Sequence, residues 1–373
     1  TVTGSNQAMV TLTFDDGSET DFKYAAPILE AYNLTATTFI TTDYIEQPGF
    51  MSLNEIQLLQ NQFNWEIGSH SISHPALSNL TTDGIESELH GSQSLLWEKG
   101  FNATNIASPF GDYSPEVLRV AAKFYTSHRA FHDQGFNQYP YDTVRLKVIS
   151  IDEDSKIEDL KLFVDQAEKE KKWLIFVFHV IRADDSYSYY WSAHRDLLKE
   201  LAKYLTCKDV AVVTIKNALE DHSKNLITNG HFDQNISKGW NSHNNTHIKI
   251  NRNNMGRYPN PERSLAIESS PGNNPVLSSQ KINLSNKSHE YYITSYVDAK
   301  DLEQGNLGFY IDEYNKNDLW ISGKWLGQVN SKEVTTFRAS YNQTSASVAK
   351  VSLQILTQNG TGLVYIDDVK WLE

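Results

Sequence analysis

Residues 9–20 read MVTLTFDDGSET. Val10, Leu12 and Phe14 alternate with Met9, Thr11 and Thr13, and this period of two predicts a strand. Asp15, Asp16 and Gly17 follow at once. An Asp-Asp-Gly run is ordinarily a turn, because Asp bonds its own backbone and Gly accepts positive φ. A strand closing on two adjacent carboxylates takes on a second meaning where other polar groups close neighbouring strands in the same way.

Outward from this stretch, residues 8–220 alternate strand and helix patterns. TATTFIT and WEIGSH read as strands with the helix NEIQLLQNQ between them, and a longer helix starts near Thr82 and ends at Gly100. Then come PEVLRVAAKF (helix), VRLKVISI (strand), KIEDLKLFVDQAEKEKK (helix), WLIFVFH (buried strand), HRDLLKELAKYL (helix) and VAVVTI (strand). This rhythm predicts an α/β fold of parallel units wound as a barrel, with its chemistry at the C-terminal ends of the strands.

From about Lys224 helical periodicity vanishes. HEYYITSYV, LGFYIDEY, ASVAKVSLQIL and GLVYIDDVKWL alternate between Asn-, Gly- and Ser-rich turns, which predicts an all-β sandwich. Two domains are therefore expected, residues 1–223 and 224–373.

The whole 373-residue chain has a formal net charge of −13 and 12% aromatic residues. That balance argues for folded domains and against a grip on nucleic-acid phosphates. The single cysteine, Cys207, forms no internal disulfide and reads as a small apolar residue. The chain opens polar, and its longest apolar run, WLIFVFHVI, is too short to span a bilayer. Nine Asn-x-Ser/Thr sequons, from Asn33 to Asn359, lean toward a secreted or cell-surface protein.

Three further features sit beside Asp15 and Asp16. GSHSISHP places His70 and His74 four apart after the strand WEIG; on a helical turn, two imidazoles at that spacing reach one metal. His128 and His132, and His243 and His247, share the spacing but not the position at a strand end. IASPFGDY forms a rigid turn whose backbone N–H groups can face a developing oxyanion. In WLIFVFHVI, His179 closes a run of six apolar residues at a strand mouth.

In order and content, TFDDG, HSISH, the Pro-Phe-Gly loop and the apolar strand ending in His resemble the polysaccharide deacetylases of carbohydrate esterase family 4, the NodB-homology fold. The resemblance covers about residues 8–220 and extends to LSNLT and VAVVTIKNALE. It implies a distorted (β/α) barrel of about seven strands, a polysaccharide substrate, and a divalent metal, commonly zinc, held by Asp16, His70 and His74. It further implies Asp15 as base, His179 as acid, the Phe110 N–H for the oxyanion, and Pro109 in the substrate cleft. The family commonly has an Arg two residues before the Pro of the third motif to hold the catalytic Asp. Here Ala107 stands there, and Arg145, in TVRLKV, is the expected substitute. No Asp-Trp motif is present to tune His179; ISIDEDS offers Asp152 and Asp154 without a Trp.

In DDSYSYYWSAH, Tyr187, Tyr189, Tyr190 and Trp191 are candidates to stack on sugar faces. NLITNGHFDQNISKGW and VYIDDVKWL resemble the first and last strands of jelly-roll carbohydrate-binding modules, which implies a structural calcium near Asp233 and Asp367. Trp240, Trp320 and Trp325 are the candidate sugar platform. The expected activity is N-deacetylation of an amino-sugar polymer. The alternatives are O-acetyl esterase action on a plant glycan and a glycan-binding adhesin without catalysis.

Overall fold

The computed structural model describes residues 7–184, 189–220, 225–243, 245–251, 255–284 and 290–373. It divides into two compact units, separated in sequence between residues 222 and 223.

The first unit is built on strands β1 (Ala8–Phe14), β2 (Thr37–Ile40), β3 (Glu66–Ser69), β4 (Asn105–Ala107), β5 (Ser127–Gln134), β6 (Leu146–Ser150) and β7 (Trp173–Phe178). They follow one another in parallel, and β7 pairs with β1 from Met9↔Trp173 to Phe14↔Phe178, closing a seven-stranded barrel. β8 (Val180–Arg182) and β9 (Ser192–His194) form a separate parallel pair. β10 (Val210–Val212) adds to the first half of β1, while β2 takes its second half at Thr13 and Phe14.

All seven residues of β1 are buried, as a strand covered on both faces requires. Val10, Leu12 and Phe14 pack outward with Leu29, Leu160 and Leu201 from the surrounding helices. The other face looks into the barrel: Trp173 donates its indole N–H to Thr11 Oγ1 at 2.9 Å, and Thr13 Oγ1 donates to the Phe176 carbonyl at 2.8 Å. With a period of two, Asp15 continues this inward row and the next residue must turn away.

Helix signals act locally as the sequence leads one to expect. Ser52 and Glu55 form a reciprocal capping box at the helix Leu53–Asn61, and Thr81 accepts from Gly84 N at the start of Thr82–Glu98. Two barrel strands have no sequence counterpart above, β4 and β5. β5 reads SHRAFHDQ, whose two apolar residues, Ala130 and Phe131, fall on opposite faces, and so carries no apolar alternation to reveal it.

The second unit is a ten-stranded, antiparallel arrangement. Its long last strand, Lys350–Leu372, pairs with Val276–Ser279 and Ser264–Ser269 along one edge and with Leu302–Tyr314 and Tyr291–Asp298 along the other. Tyr291, Tyr341 and Trp371 pack against one another at tilted and edge-on angles within its core. Trp240 belongs to that core too: it is 5% exposed, lies 5.5 Å from Phe232, and donates to the Asn229 carbonyl at 3.1 Å. It is therefore no part of a sugar platform, because its indole has both an apolar bed and an acceptor inside. Trp320 and Trp325 are exposed.

Phe14, fully buried, stacks between Trp65 at 5.0 Å and Phe178 at 5.3 Å. Phe14→Ala is expected to destabilise the first unit by about 3–5 kcal/mol, read as a lowered urea midpoint; a shift below 1 kcal/mol would mean that β1 is not the packing axis of the barrel.

Candidate active site

Four barrel strands deliver polar groups to one mouth. β1 ends into Asp15 and Asp16, β3 into His70, β4 into the turn Ser108–Gly111, and β7 into His179. The backbone at Asp16 (φ 75°) and Gly17 (φ 80°) enters the left-handed region, which turns the second carboxylate away from the first.

Asp15 is 2% exposed, and its backbone N–H bonds the Phe178 carbonyl at 2.9 Å. Its Oδ1 accepts from Arg129 Nη2 in a buried ion pair. Burial alone would raise this carboxyl, but the Arg129 guanidinium, helped by His70 and His179, holds it below the usual carboxylate range. Arg129 is 1% exposed and lies 4.4 Å from the centroid of the Phe39 ring. It occupies β5 directly opposite Ala107 of β4. Arg145, the residue expected in this role, instead pairs with Asp142 at 3.3 Å, and more than a third of its side chain is exposed. Nothing in the sequence singles out Arg129, because its strand has no apolar pattern, whereas Arg145 adjoins one that does.

Asp16 Oδ1 lies 3.4 Å from His70 Nε2 and 3.2 Å from His74 Nε2. Although Asp16 is largely buried, the two imidazoles hold its carboxyl far below the ordinary range. His70 Nδ1 is 2.8 Å from the Ala107 carbonyl, which can only accept. Nδ1 therefore carries a proton, and Nε2 is the nitrogen turned toward Asp16, the one left to bind a metal when the ring is neutral.

One carboxylate oxygen and two imidazole nitrogens within 4.8 Å of one another form the only group of three or more His, Cys, Asp or Glu side chains placed to hold a metal among the described residues. The donor set suits a divalent cation, since Asp16 Oδ1 is buried with no hydrogen-bond donor recorded and the His70 tautomer is already fixed for ligation.

The two histidines do not meet on a helical turn. Residues 70–74 form a bent loop in which Ser71 (φ 68°) and His74 (φ 61°) are left-handed, and this curl brings the rings within 5.0 Å. The strain is held in place by Glu88, whose carboxylate accepts from Ile72 N at 2.8 Å, Ser73 N at 3.0 Å and Ser73 Oγ at 2.7 Å. His74 N bonds Ser71 Oγ at 3.0 Å. No sequence signal marks Glu88, one of several acids on the helix Thr82–Glu98.

Pro109 is buried and Phe110 is 53% exposed, with φ 57°. The Phe110 ring stands edge-on to His74 at 4.5 Å. Across the mouth, His179 is 9% exposed; burial pushes its imidazole below the usual value, and its Nδ1 has no hydrogen-bond partner among the described residues. Trp191 lies 5.6 Å from His179 and 5.3 Å from Phe131. Tyr190 is exposed and donates its hydroxyl to Asp152 at 3.1 Å, and Tyr189 is exposed beside it. Tyr187 lies outside the described residues.

The other histidine pairs serve elsewhere. His128 is buried between Ser108 and the Val144 carbonyl, and His132 packs on Phe131 at 4.8 Å. His243 bonds Ser278, and His247 faces Glu268. In the second unit, Asp367 accepts from Arg257 N and Asp368 N, both at 2.7 Å, while Asp233 accepts from Asn260.

The family model for polysaccharide deacetylases matches residues 3–126. Among curated proteins, the chain is 31% identical over 119 residues to YxkH of Bacillus subtilis, whose name carries the words polysaccharide deacetylase; the match covers 32% of this chain and 42% of that protein. It is 29% identical over 151 residues to the peptidoglycan-N-acetylglucosamine deacetylase of Bacillus cereus, covering 39% and 50%. The chain thus spans half or less of the length of these relatives. Among solved structures, the deacetylase PplD of Streptococcus pyogenes, in complex with acetate, matches at 25% identity and a TM-score of 0.39, over 41% of this chain and 69% of that one.

Titration of the apoprotein with Zn(II) against a competing chelator is expected to show one tight ion per chain, lost in His74→Ala. Glu88→Ala should weaken it by about 10- to 100-fold, and an unchanged affinity would show that Glu88 does not support the His loop.

Proposed function

We propose that this chain is a metal-dependent deacetylase that removes N-acetyl groups from an amino-sugar polysaccharide of the chitin, poly-N-acetylglucosamine or peptidoglycan type, releasing acetate. The observation that carries the reading is the division of labour between adjacent carboxylates: Asp16 faces two imidazoles and Asp15 faces a buried arginine. The match of residues 3–126 to polysaccharide deacetylases and the names of the relatives support it.

A divalent cation on Asp16, His70 and His74, zinc by the chemistry of its donors, would supply an acidified water and polarise the acyl oxygen. Asp15 does the proton work. Arg129 engages Oδ1 and fixes the carboxylate's orientation, so that Oδ2 takes the proton from the attacking water. As the carbonyl carbon becomes tetrahedral, the Phe110 N–H meets the charge that grows on its oxygen. His179, whose protonated form Asp15 and Asp16 favour against the burial that opposes it, gives a proton to the departing nitrogen. The C–N bond breaks, leaving acetate and a free sugar amine. Phe110, Tyr190 and Trp191 offer ring faces to neighbouring sugars.

The same groups would cleave an O-acetyl ester, so rates on acetylated xylan beside N-acetylglucosamine oligomers decide between amide and ester. A binding-only adhesin has no use for a buried Arg–Asp pair beside an assembled ligand trio, which weighs against that alternative.

For the second domain we propose a glycan-binding jelly roll. Its support is a groove of about 600 Å³ lined by His243, Ser278, Lys281, Asp312, Tyr314 and Gln354, a set rich in both donors and acceptors for sugar hydroxyls. Calcium near Asp233 and Asp367 belongs to the same proposal. Burial, with Asp368 and Asp233 close by, raises Asp367 to about 8. A secreted or cell-surface location is proposed on the nine sequons, and fractionation of the source cells tests it.

Asp15→Asn is expected to lose about 10²- to 10⁴-fold in acetate release with metal content intact; wild-type activity in that variant would overturn the base assignment. Arg129→Ala should lose a comparable amount while Arg145→Ala stays active. Tyr314→Ala should reduce retention on a glycan column without changing kcat on a soluble trimer, and unchanged retention would remove the groove from the proposal.

A further inference from the structure

His128, left over from the His-x-x-x-His spacings, sits on β5 next to Arg129 and points to the opposite face of the strand. Its Nδ1 is 2.9 Å from the Val144 carbonyl and its Nε2 is 2.7 Å from Ser108 Oγ. A carbonyl only accepts, so Nδ1 carries the proton and Nε2 receives the Ser108 hydroxyl. Both side chains are buried, at 2% and 3% exposure.

A serine bonded to a histidine also describes an activated nucleophile. Here the hydroxyl is closed to substrate, and the ring's second nitrogen binds backbone where a nucleophile's base would have an orienting acid. The pair is an anchor, and what it anchors is the turn that follows. Ser108 N bonds the Arg129 carbonyl at 3.0 Å, and the Ser108 carbonyl accepts from Gly111 N at 3.0 Å.

Between them the backbone passes through two left-handed residues, Phe110 (φ 57°) and Gly111 (φ 62°). Phe110 is 53% exposed, its ring meeting His74 edge-on, so its burial contributes little to holding that conformation. A Cβ at Gly111 would come within 3.0 Å of Phe131, another β5 residue, so the turn is pressed against the strand that anchors it.

We infer that His128 is a positioning residue: by locking Ser108 it fixes the Pro109–Phe110–Gly111 turn, and with it the Phe110 N–H, over the reacting carbonyl. β5 then serves both halves of the reaction, Arg129 orienting the base from one face and His128 the oxyanion donor from the other. Burial pushes the His128 imidazole down to about 4, with Arg129 and Arg145 opposing its charge and Asp142 favouring it, so the ring is neutral and able to accept at neutral pH.

The inference rests on the deacetylase reading, and one readout stands apart from activity. In full-length, metal-loaded Ser108→Ala and His128→Phe, amide hydrogen exchange across residues 108–112 should quicken at least tenfold. The kcat for acetate release should fall about 10- to 100-fold, with KM and metal content unchanged and the double variant no worse than either single one. His128→Gln, whose amide oxygen can accept from Ser108, should recover most of the rate. Unchanged exchange in Ser108→Ala, or equal damage from His128→Gln and His128→Phe, would overturn the inference. Should the wild type release no acetate from any glycan, the deacetylase reading fails, and hydrogen exchange alone still decides whether His128 locks the turn.

Discussion

A carboxylate closed off from water persists in its charged form only beside a compensating cation, and in this fold Arg129 supplies one to Asp15. The pair sits at the end of the strand that closes the barrel, inside the row that begins with Met9, Thr11 and Thr13. Arg129 keeps Asp15 ionised and holds one of its oxygens, which leaves Asp16 free to turn outward to the histidines. Without that cation the two adjacent acids would compete for the same protons and the same space.

The architecture divides the labour by stiffness. Strands set the reach of each group: β1 and β7 run in register from Met9↔Trp173 to Phe14↔Phe178, so Asp15 and His179 emerge side by side. Loops set direction, and they do so through left-handed residues at Asp16, Ser71, His74 and Phe110. Such conformations persist only where something else holds them. Glu88 holds the histidine loop through three donors, and the Ser108–His128 bond holds the aromatic turn.

Ala107 and Arg129 show how the strand beside β4 brings a positive charge to Asp15. They are direct partners on neighbouring strands, so a guanidinium carried by β5 reaches the space beside Asp15 that a side chain from β4 would otherwise fill. The small residue at 107 and the long one at 129 are complementary across the pair, and its carbonyl still fixes the His70 tautomer.

By itself the sequence determined the alternation of strands and helices, the change to an all-β grammar in the second half, and which side chains end strands: Asp15, Asp16 and His179 are legible because apolar runs stop at them, and His70 because it closes the short strand WEIGS. Those features are local, written in spacings of two and of three to four residues. The tertiary structure alone decided that Arg129 rather than Arg145 faces Asp15, that His74 reaches Asp16 from a curled loop, and that Trp240 is core. Each of these depends on what a neighbouring strand or loop places opposite. β5 could not announce itself, because its two faces hold a buried arginine and a buried histidine and its apolar residues, Ala130 and Phe131, are split between them.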